Sequence, residues 1–189
     1  MLYFTVILIS MLVIYGYTIP ISIFTGFITL KEALIGPMFV NAYVLIVLGL
    51  ATLFLRVFVP NKSWDAEQKF FRVQEKEISF YEKIKIKKWK DKVPEMGSTG
   101  GFPKKNILSL SVEYLAKFLR ETCIAENLHI LLIIFSFTVL FFISAKGLIY
   151  AVPVLIVNMV LHILPCFIQR YVRFKMIRVY NYQLLKQNN

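Results

Sequence analysis

The sequence predicts an all-α integral membrane protein with about four transmembrane helices plus interfacial amphipathic helices. Its 189 residues are 58% hydrophobic and have a mean hydropathy of +0.65, beyond the composition of an ordinary soluble domain. Only 17% of the residues are charged, and none falls in residues 1–30, 33–55, 127–145 or 147–169. Because a helix of about 20 apolar residues crosses a membrane, each run is long enough for one span.

The first apolar run is interpreted as a helix that stays in the membrane. It lacks the basic start and the small-residue cleavage site of a signal peptide. It contains Pro20, which favours a tilt or a kink, and in the second run Gly49 would let a neighbouring helix approach. We expect a single membrane domain over residues 1–189. Its predicted spans are residues 2–22, 35–58, 126–145 and 148–169.

The net charge of +11 is distributed on one side of the predicted topology. Residues 60–120 contain 14 Lys or Arg and residues 170–186 contain five more, whereas the other two connections contain one Lys each. Four spans place both basic stretches on the same side, which the positive-inside rule assigns to the cytoplasm. We therefore expect a cell-membrane protein with both termini cytoplasmic. Anionic lipid then explains the basic charge, and no nucleic-acid partner is expected.

The segment between the second and third spans, residues 60–122, is predicted to lie at the cytoplasmic face. Charges alternate there with large apolar residues, a mixture that suits helices lying among lipid headgroups. Ser79 and Glu82 have capping-box spacing, which predicts a helix start at Ser79. Ser111 is a candidate N-cap with Glu113 in the first turn, and the helix it begins should run into the third span. The large apolar residues are Trp64, Phe70, Phe71, Ile78, Phe80, Tyr81, Ile84 and Trp89.

Two stretches of this segment are candidates for phosphate contact. Residues 83–90 contain five lysines, which form either a solvated face attracted to anionic lipid or a binding surface for an anionic acyl donor. The sequence leaves both interpretations open. Residues 94–103 form a loop by composition, but no Gly-Lys-Ser/Thr follows, so this is not a P-loop. Lys104 and Lys105 come next and signal phosphate contact only weakly.

Two acids and a histidine lie where the polar segment enters the third apolar run. On a helix, with Glu121 at zero, His129 falls at roughly 80° and Glu126 at roughly 140°, so the three share one sector. Ionisable groups at a membrane boundary are costly and therefore suggest a functional site. The alternative is that the acids are solvated residues of a helix start and His129 is a satisfied interfacial histidine.

The motifs that are missing from the sequence exclude several kinds of chemistry for this cluster. Glu126-x-x-His129 occurs once, whereas di-iron bundles use two such motifs, and no His-Glu-x-x-His signature is present, so we expect no metal site. No Gly-x-Ser-x-Gly elbow suggests a serine hydrolase. Cys123 and Cys166 have no metal-like spacing and are interpreted as small buried residues. Acid–base catalysis by a histidine beside a carboxylate remains.

The fourth span carries polar residues inside an apolar run. Asn158 and His162 are four residues apart and share a helix face. The span ends in Gln169-Arg170-Tyr171-Val172-Arg173. This ending is either an aromatic and basic interface anchor or an anion contact that faces the Glu121–His129 helix.

Four separate motifs occur in order along residues 80–178. They are Lys88-Trp89-Lys90-Asp91-Lys92-Val93-Pro94, the Gly-rich loop through Phe102, Glu121-Thr122 with Ala125-Glu126 and His129, and Pro165 with Gln169-Arg170-Tyr171-x-Arg173. Together they resemble the glycosyl-4,4'-diaponeurosporenoate acyltransferases, small membrane proteins of bacterial carotenoid pathways. The resemblance implies transfer of a fatty acyl group onto the glucose of a glycosylated carotenoid acid, the final step to staphyloxanthin.

On this resemblance we expect a four-span acyltransferase of the bacterial cell membrane. His129 is the predicted general base, Glu126 orients it, and Glu121 positions the acceptor hydroxyl. Asn158 and Arg173 are candidates for the oxyanion stabiliser. The expected donor is an acyl thioester such as acyl-CoA, used as co-substrate without a further cofactor. The residues expected to bind substrate are Lys88, Trp89, Lys90, Asn158, Gln169, Arg170, Tyr171 and Arg173.

A protein without enzymatic activity is the alternative from a different class. A small transporter subunit or assembly factor would account for four spans and a basic loop. The clustering of Glu121, Glu126 and His129 with Arg170 at one membrane face argues against it. The expected partners of the enzyme are membrane lipids, the acyl donor and a glycolipid acceptor.

Overall fold

The computed structural model describes residues 2–93 and 107–188, and within them the chain forms helices and turns without strands. The Gly-rich loop of residues 94–103, Lys104 and Lys105 lie outside the described residues. Short 3₁₀ turns occupy Asn61–Ser63, Lys90–Lys92, Phe137–Phe142 and Ala145–Gly147. The α-helices are α1 (Leu2–Thr25), α2 (Leu30–Val57), α3 (Glu75–Lys83), α4 (Ile86–Trp89), α5 (Val112–Ser136) and α6 (Leu148–Asn188).

Four helical stretches within the described ranges are long and apolar enough to cross a membrane, which confirms the predicted class. They are Thr5–Thr25, Leu30–Val57, Val112–Phe142 and Ala145–Asn188. The third begins well before its predicted span because α5 is continuous from the N-cap Ser111, whose hydroxyl accepts the backbone N–H of Tyr114 at 3.3 Å. The fourth continues to Asn188, beyond the predicted end at residue 169.

The chain divides into two compact units, each made of two separate segments. The first unit contains Met1–Phe54 and Ile130–Ile163, and the second contains Leu55–His129 and Leu164–Asn189. The boundary falls inside α2, α5 and α6. The assignment of residues 1–189 to a single domain stays a prediction.

The first unit packs apolar side chains from α1, α2 and α6. Its buried residues include Ile14, Val40 and Leu155, with Val139 from the 3₁₀ turn after α5. A Cβ at Gly36 would overlap the ring of Tyr150, whereas nothing lies within 4 Å of a Cβ at Gly49. Gly36, and not the predicted Gly49, therefore allows a close approach of the Tyr150 ring, and Gly147 likewise leaves room for Ile143 and Tyr150.

The second unit packs α3 and α4 against the middle of α6 around Tyr81, Ile86 and Tyr171. The helix start predicted at Ser79 is wrong, because α3 begins at Glu75 behind a capping box between Gln74 and Glu77. Ser79 lies inside the helix, where its hydroxyl donates to the carbonyl of Glu75 at 3.3 Å.

More aromatic residues of the polar segment are buried in the protein than the sequence predicts. Trp64, Phe71 and Tyr81 are buried, whereas Phe70 and Phe80 are exposed. Trp64 and Phe71 lie with ring centroids 6.0 Å apart. The segment therefore contributes a small aromatic core, in addition to the surface residues that suit an interface.

Candidate active site

Glu126 lies at the centre of a buried ion cluster formed by α5 and α6 in the second unit. Only 2% of the surface of Glu126 is exposed. The Nη1 of Arg170 donates to its Oε1 at 2.6 Å. The Nη2 of Arg173 lies 2.6 Å from its Oε2, although within the described residues Oε2 has no partner of hydrogen-bonding geometry. Because burial weakens solvent screening, both contacts are strong electrostatic interactions.

Arg173 is almost completely enclosed, with 1% of its surface exposed. Its Nε donates to Oγ1 of Thr122 and its Nη2 to the Thr122 carbonyl, both at 3.0 Å. Its Nη1 donates to the carbonyl of Phe71 at 2.8 Å. Arg173 therefore ties α6 to α5 and to the loop before α3.

Arg170 directs all five of its N–H groups to protein acceptors. The Nε and Nη2 donate to the Glu77 carboxylate at 2.7 and 2.9 Å. The Nη1 reaches Phe70 O in addition to Glu126, and the Nη2 also reaches Arg72 O, at 3.3 Å in each case. If Arg170 bound the acyl donor, one of these hydrogen bonds would have to be replaced.

Glu77 adds a second negative charge to this cluster. Burial acts to raise the pKa of its carboxyl, but hydrogen bonds from Arg170 and the Gln74 backbone outweigh burial and hold the pKa below its ordinary value. Burial, followed by the neighbouring Glu77 charge, raises the pKa of Tyr81 to about 12. At neutral pH Glu77 is therefore ionised, and Tyr81 keeps the proton that it donates to Glu77 at 3.3 Å.

Glu121 lies in a separate environment, at the edge of a cleft of about 190 Å³. Arg56, in the last turn of α2, donates to its two carboxylate oxygens at 3.0 and 3.4 Å. Glu121 and Glu126 therefore belong to different ion pairs on one helix. The residues that line the cleft are Leu55, Arg56, Val59, Asn61, Trp64, Arg120, Glu121 and Ile124.

His129 is partly exposed and lies three residues after Glu126 on α5. By the rise of an α-helix it is about 4.5 Å from Glu126 and about 12 Å from Glu121 along the axis. The three predicted catalytic residues thus share one continuous helix in the second unit. The roles assigned to them stay predictions.

The predicted donor residues of the basic run lie at the end of the α3–α4 region. Lys88 is exposed, and Lys90 forms an ion pair with Asp91 at 2.7 Å. The indole N–H of Trp89 donates to the carbonyl of Ile84 at 3.0 Å, and its ring packs beside the Tyr81 core. Trp89 therefore holds the local fold, while Lys88 is exposed and Lys90 is partly exposed.

The remaining predicted binding residues have different surroundings. Gln169 is partly exposed on α6. Tyr171 is buried, and within the described residues its hydroxyl has no hydrogen-bond partner. Asn158 belongs to the first unit, where its amide donates to the Ser136 hydroxyl at 3.0 Å. The structure therefore does not place Asn158 in the unit that holds Glu126 and His129.

Arg56 and Glu77 are contacts of the site that the sequence did not single out, and Thr122 was named only as part of the Glu121-Thr122 motif. The pattern did contain a signal for Arg56, which is the first charge after a long apolar run and therefore needs a partner. Glu77 had no such signal. No group of three His, Cys, Asp or Glu that could hold a metal occurs in the part of the chain that the structure describes.

Comparison with known proteins gives one match. The sequence profile of the glycosyl-4,4'-diaponeurosporenoate acyltransferase family matches residues 61–182, well over half of the chain. No curated protein and no solved structure matches. The matched range contains Glu77, Glu121, Glu126, His129, Arg170 and Arg173. The chain is a membrane acyltransferase, and it belongs to the glycosyl-4,4'-diaponeurosporenoate acyltransferase family.

Proposed function

We propose that the protein esterifies a fatty acyl group onto a hydroxyl of a glycosylated, lipid-like acceptor. The acceptor oxygen attacks the carbonyl carbon of an acyl thioester, and the C–S bond breaks. The thiolate takes up the proton that the hydroxyl lost and leaves as a thiol. The observation that carries the proposal is the family match over residues 61–182. The match also favours an enzyme over a transporter subunit or assembly factor.

His129 is the proposed general base that takes the hydroxyl proton. Support comes from its position on α5, partly accessible and one turn beyond the enclosed Glu126. Histidine is suited to this step because a neutral imidazole accepts a proton near neutral pH. Glu126 is proposed to act through the protein, by holding Arg170 and Arg173 so that α5 and α6 keep their positions beside His129.

The experiment that tests the function uses purified full-length protein in lipid vesicles. Acyl-CoA and a glycosyl carotenoid acid are supplied, and the lipid products are analysed by mass spectrometry. We expect an ester that carries the acyl group on the sugar. Free fatty acid with no ester, from both acyl-CoA and acyl-carrier protein, would contradict transfer to a hydroxyl.

Lys88 and Lys90 are the proposed contacts to the anionic donor. Changing both to Ala should raise KM for acyl-CoA by about tenfold or more, because each lost contact removes a charged hydrogen bond. Steady-state kinetics at varied acyl-CoA measure the effect. The matched control is Lys83→Ala with Lys87→Ala, which removes equal charge from the same run. If both double variants raised KM equally, the lysines would act only through the general attraction of the basic run for anionic ligands and surfaces.

The proposed topology places both termini and the segment of residues 60–120 in the cytoplasm. With Cys123 and Cys166 replaced by alanine, a single Lys31→Cys variant should react with an impermeant thiol reagent in intact cells. A single Lys87→Cys variant should react only after permeabilisation. If Lys87→Cys were labelled in intact cells and Lys31→Cys were not, the protein would have the opposite orientation in the membrane.

A further inference from the structure

The cleft beside Glu121 is polar and small. Its volume of about 190 Å³ corresponds to roughly six water molecules in the liquid. That volume suits a compact polar group and not a long acyl chain. Arg56, Asn61, Arg120 and Glu121 bring hydrogen-bonding groups to the cleft, and the buried Trp64 gives it an aromatic wall.

The groups of the cleft suit a ligand that both donates and accepts hydrogen bonds. The Glu121 side chain is 12% exposed and pairs with Arg56. Among the described residues Arg120 forms no ion pair, so its N–H groups are not committed to a carboxylate. A phosphate dianion only accepts hydrogen bonds, so it would use the guanidinium groups but gain nothing from the Glu121 carboxylate. A sugar hydroxyl donates to a carboxylate and accepts from a guanidinium or an amide, so it fits every one of these groups.

The residues of the cleft lie where the sequence passes between apolar runs and charged segments, the pattern expected at a membrane boundary. On the α2 side, Val57 and Phe58 are exposed at the end of the apolar run. On the α5 side, Arg120 and Glu121 precede the uncharged run that begins at Asn127. Polar groups at such a boundary contact headgroups, while the apolar part of a ligand extends into the hydrocarbon.

We propose that this cleft binds the sugar of the lipid-like acceptor, with Glu121 accepting hydrogen bonds and Arg56, Asn61 and Arg120 donating them. The inference rests on the proposed acyl transfer to a glycosylated acceptor, and it assigns residues that recognise the sugar. Glu121 and His129 lie about 12 Å apart along α5, so the cleft is proposed to hold the sugar on the polar side of the base.

The kinetic test compares two acceptors that differ only in the sugar, an alkyl glucoside and the alkanol of the same chain length. Asn61→Ala and Arg120→Met should each raise KM for the glucoside about tenfold, the effect of losing a hydrogen bond to a charged or planar polar group. KM for acyl-CoA and for the alkanol should not change. Lys117→Met, on the same helix outside the cleft, is the matched control and should leave all three values unchanged.

The outcomes separate the two proposals. No transfer to any acceptor by the wild-type protein would reject the proposed function itself. Transfer by the wild type, with glucoside and alkanol affected equally in Asn61→Ala and Arg120→Met, would keep the function and reject the cleft as its sugar site.

A binding measurement gives a readout that does not depend on turnover. In a Trp89→Phe background, Trp64 is the remaining tryptophan of the chain. Alkyl glucoside should change its emission, Arg120→Met should abolish that change, and an alkyl phosphate of equal length should have no effect. A response to the alkyl phosphate without one to the glucoside would overturn the assignment and make the cleft an anion site.

Discussion

His129→Ala is expected to lower kcat for acyl transfer by about 10²–10⁴-fold, the usual contribution of a positioned general base. The physical reason is that the acceptor hydroxyl must lose its proton as it attacks the thioester carbonyl. Alanine cannot accept that proton. The measurement is ester formation by the purified protein in vesicles, at saturating acyl-CoA and acceptor.

His162→Ala is the control for this prediction, since His162 is the other histidine of the chain and lies buried in the first unit. It should keep turnover per folded molecule within a few fold of the wild type. Near-native turnover of His129→Ala, with loss in His162→Ala, would place the base on α6. Full activity of both variants would reject acid–base catalysis by histidine.

Glu126→Ala is expected to destabilise the protein by about 3–5 kcal/mol, because it leaves the partly buried Arg170 and the buried Arg173 without their shared carboxylate. Arg173 is the more sensitive of the two, since its guanidinium is enclosed and has no route to solvent. The loss should appear as a lower unfolding temperature of the detergent-solubilised protein. It should also appear as faster proteolysis at the loop before α3, which both arginines bind.

Glu75→Ala is a matched control, because it removes a glutamate that also pairs with an arginine of α6. Glu75 and Arg178 are 3.8 Å apart with 89% and 66% of their side chains exposed. Such a solvated pair contributes about 0–1 kcal/mol. If Glu126→Ala is as stable as Glu75→Ala but inactive, Glu126 acts directly on His129 or on the substrate, as the sequence alone predicts.

The membrane spans could be predicted because charge is excluded from the hydrocarbon along the whole length of a helix. That signal needs no knowledge of neighbours, and it located four spans to within several residues at most ends. Helix starts were harder to predict. Two capping-box spacings compete in the same stretch, and Gln74 with Glu77 forms the actual one. Glutamine is a weaker N-cap than serine, so the sequence favoured Ser79.

The shared helix of Glu121, Glu126 and His129 was also predictable, because helical spacing is local. Their partners were not. Arg170 and Arg173 meet Glu126 from more than 40 residues away, and Arg56 meets Glu121 across 65 residues. No periodicity encodes such pairings. The sequence offered as one alternative that the Gln169–Arg173 ending faces the Glu121–His129 helix, and Arg170 does contact Glu126. It assigned Arg170 to substrate binding, however, whereas the structure surrounds it with Glu77, Glu126 and backbone carbonyls.

The single helix that carries Glu121, Glu126 and His129 also limits how the length of the chain can vary. One residue inserted between Glu121 and Glu126 would turn the two side chains about 100° relative to each other and move them about 1.5 Å apart along the axis. The cleft and the ion cluster could not then both keep their partners. A substitution in these nine residues changes the contacts of one side chain, but an insertion or deletion there should abolish the fold of the second unit.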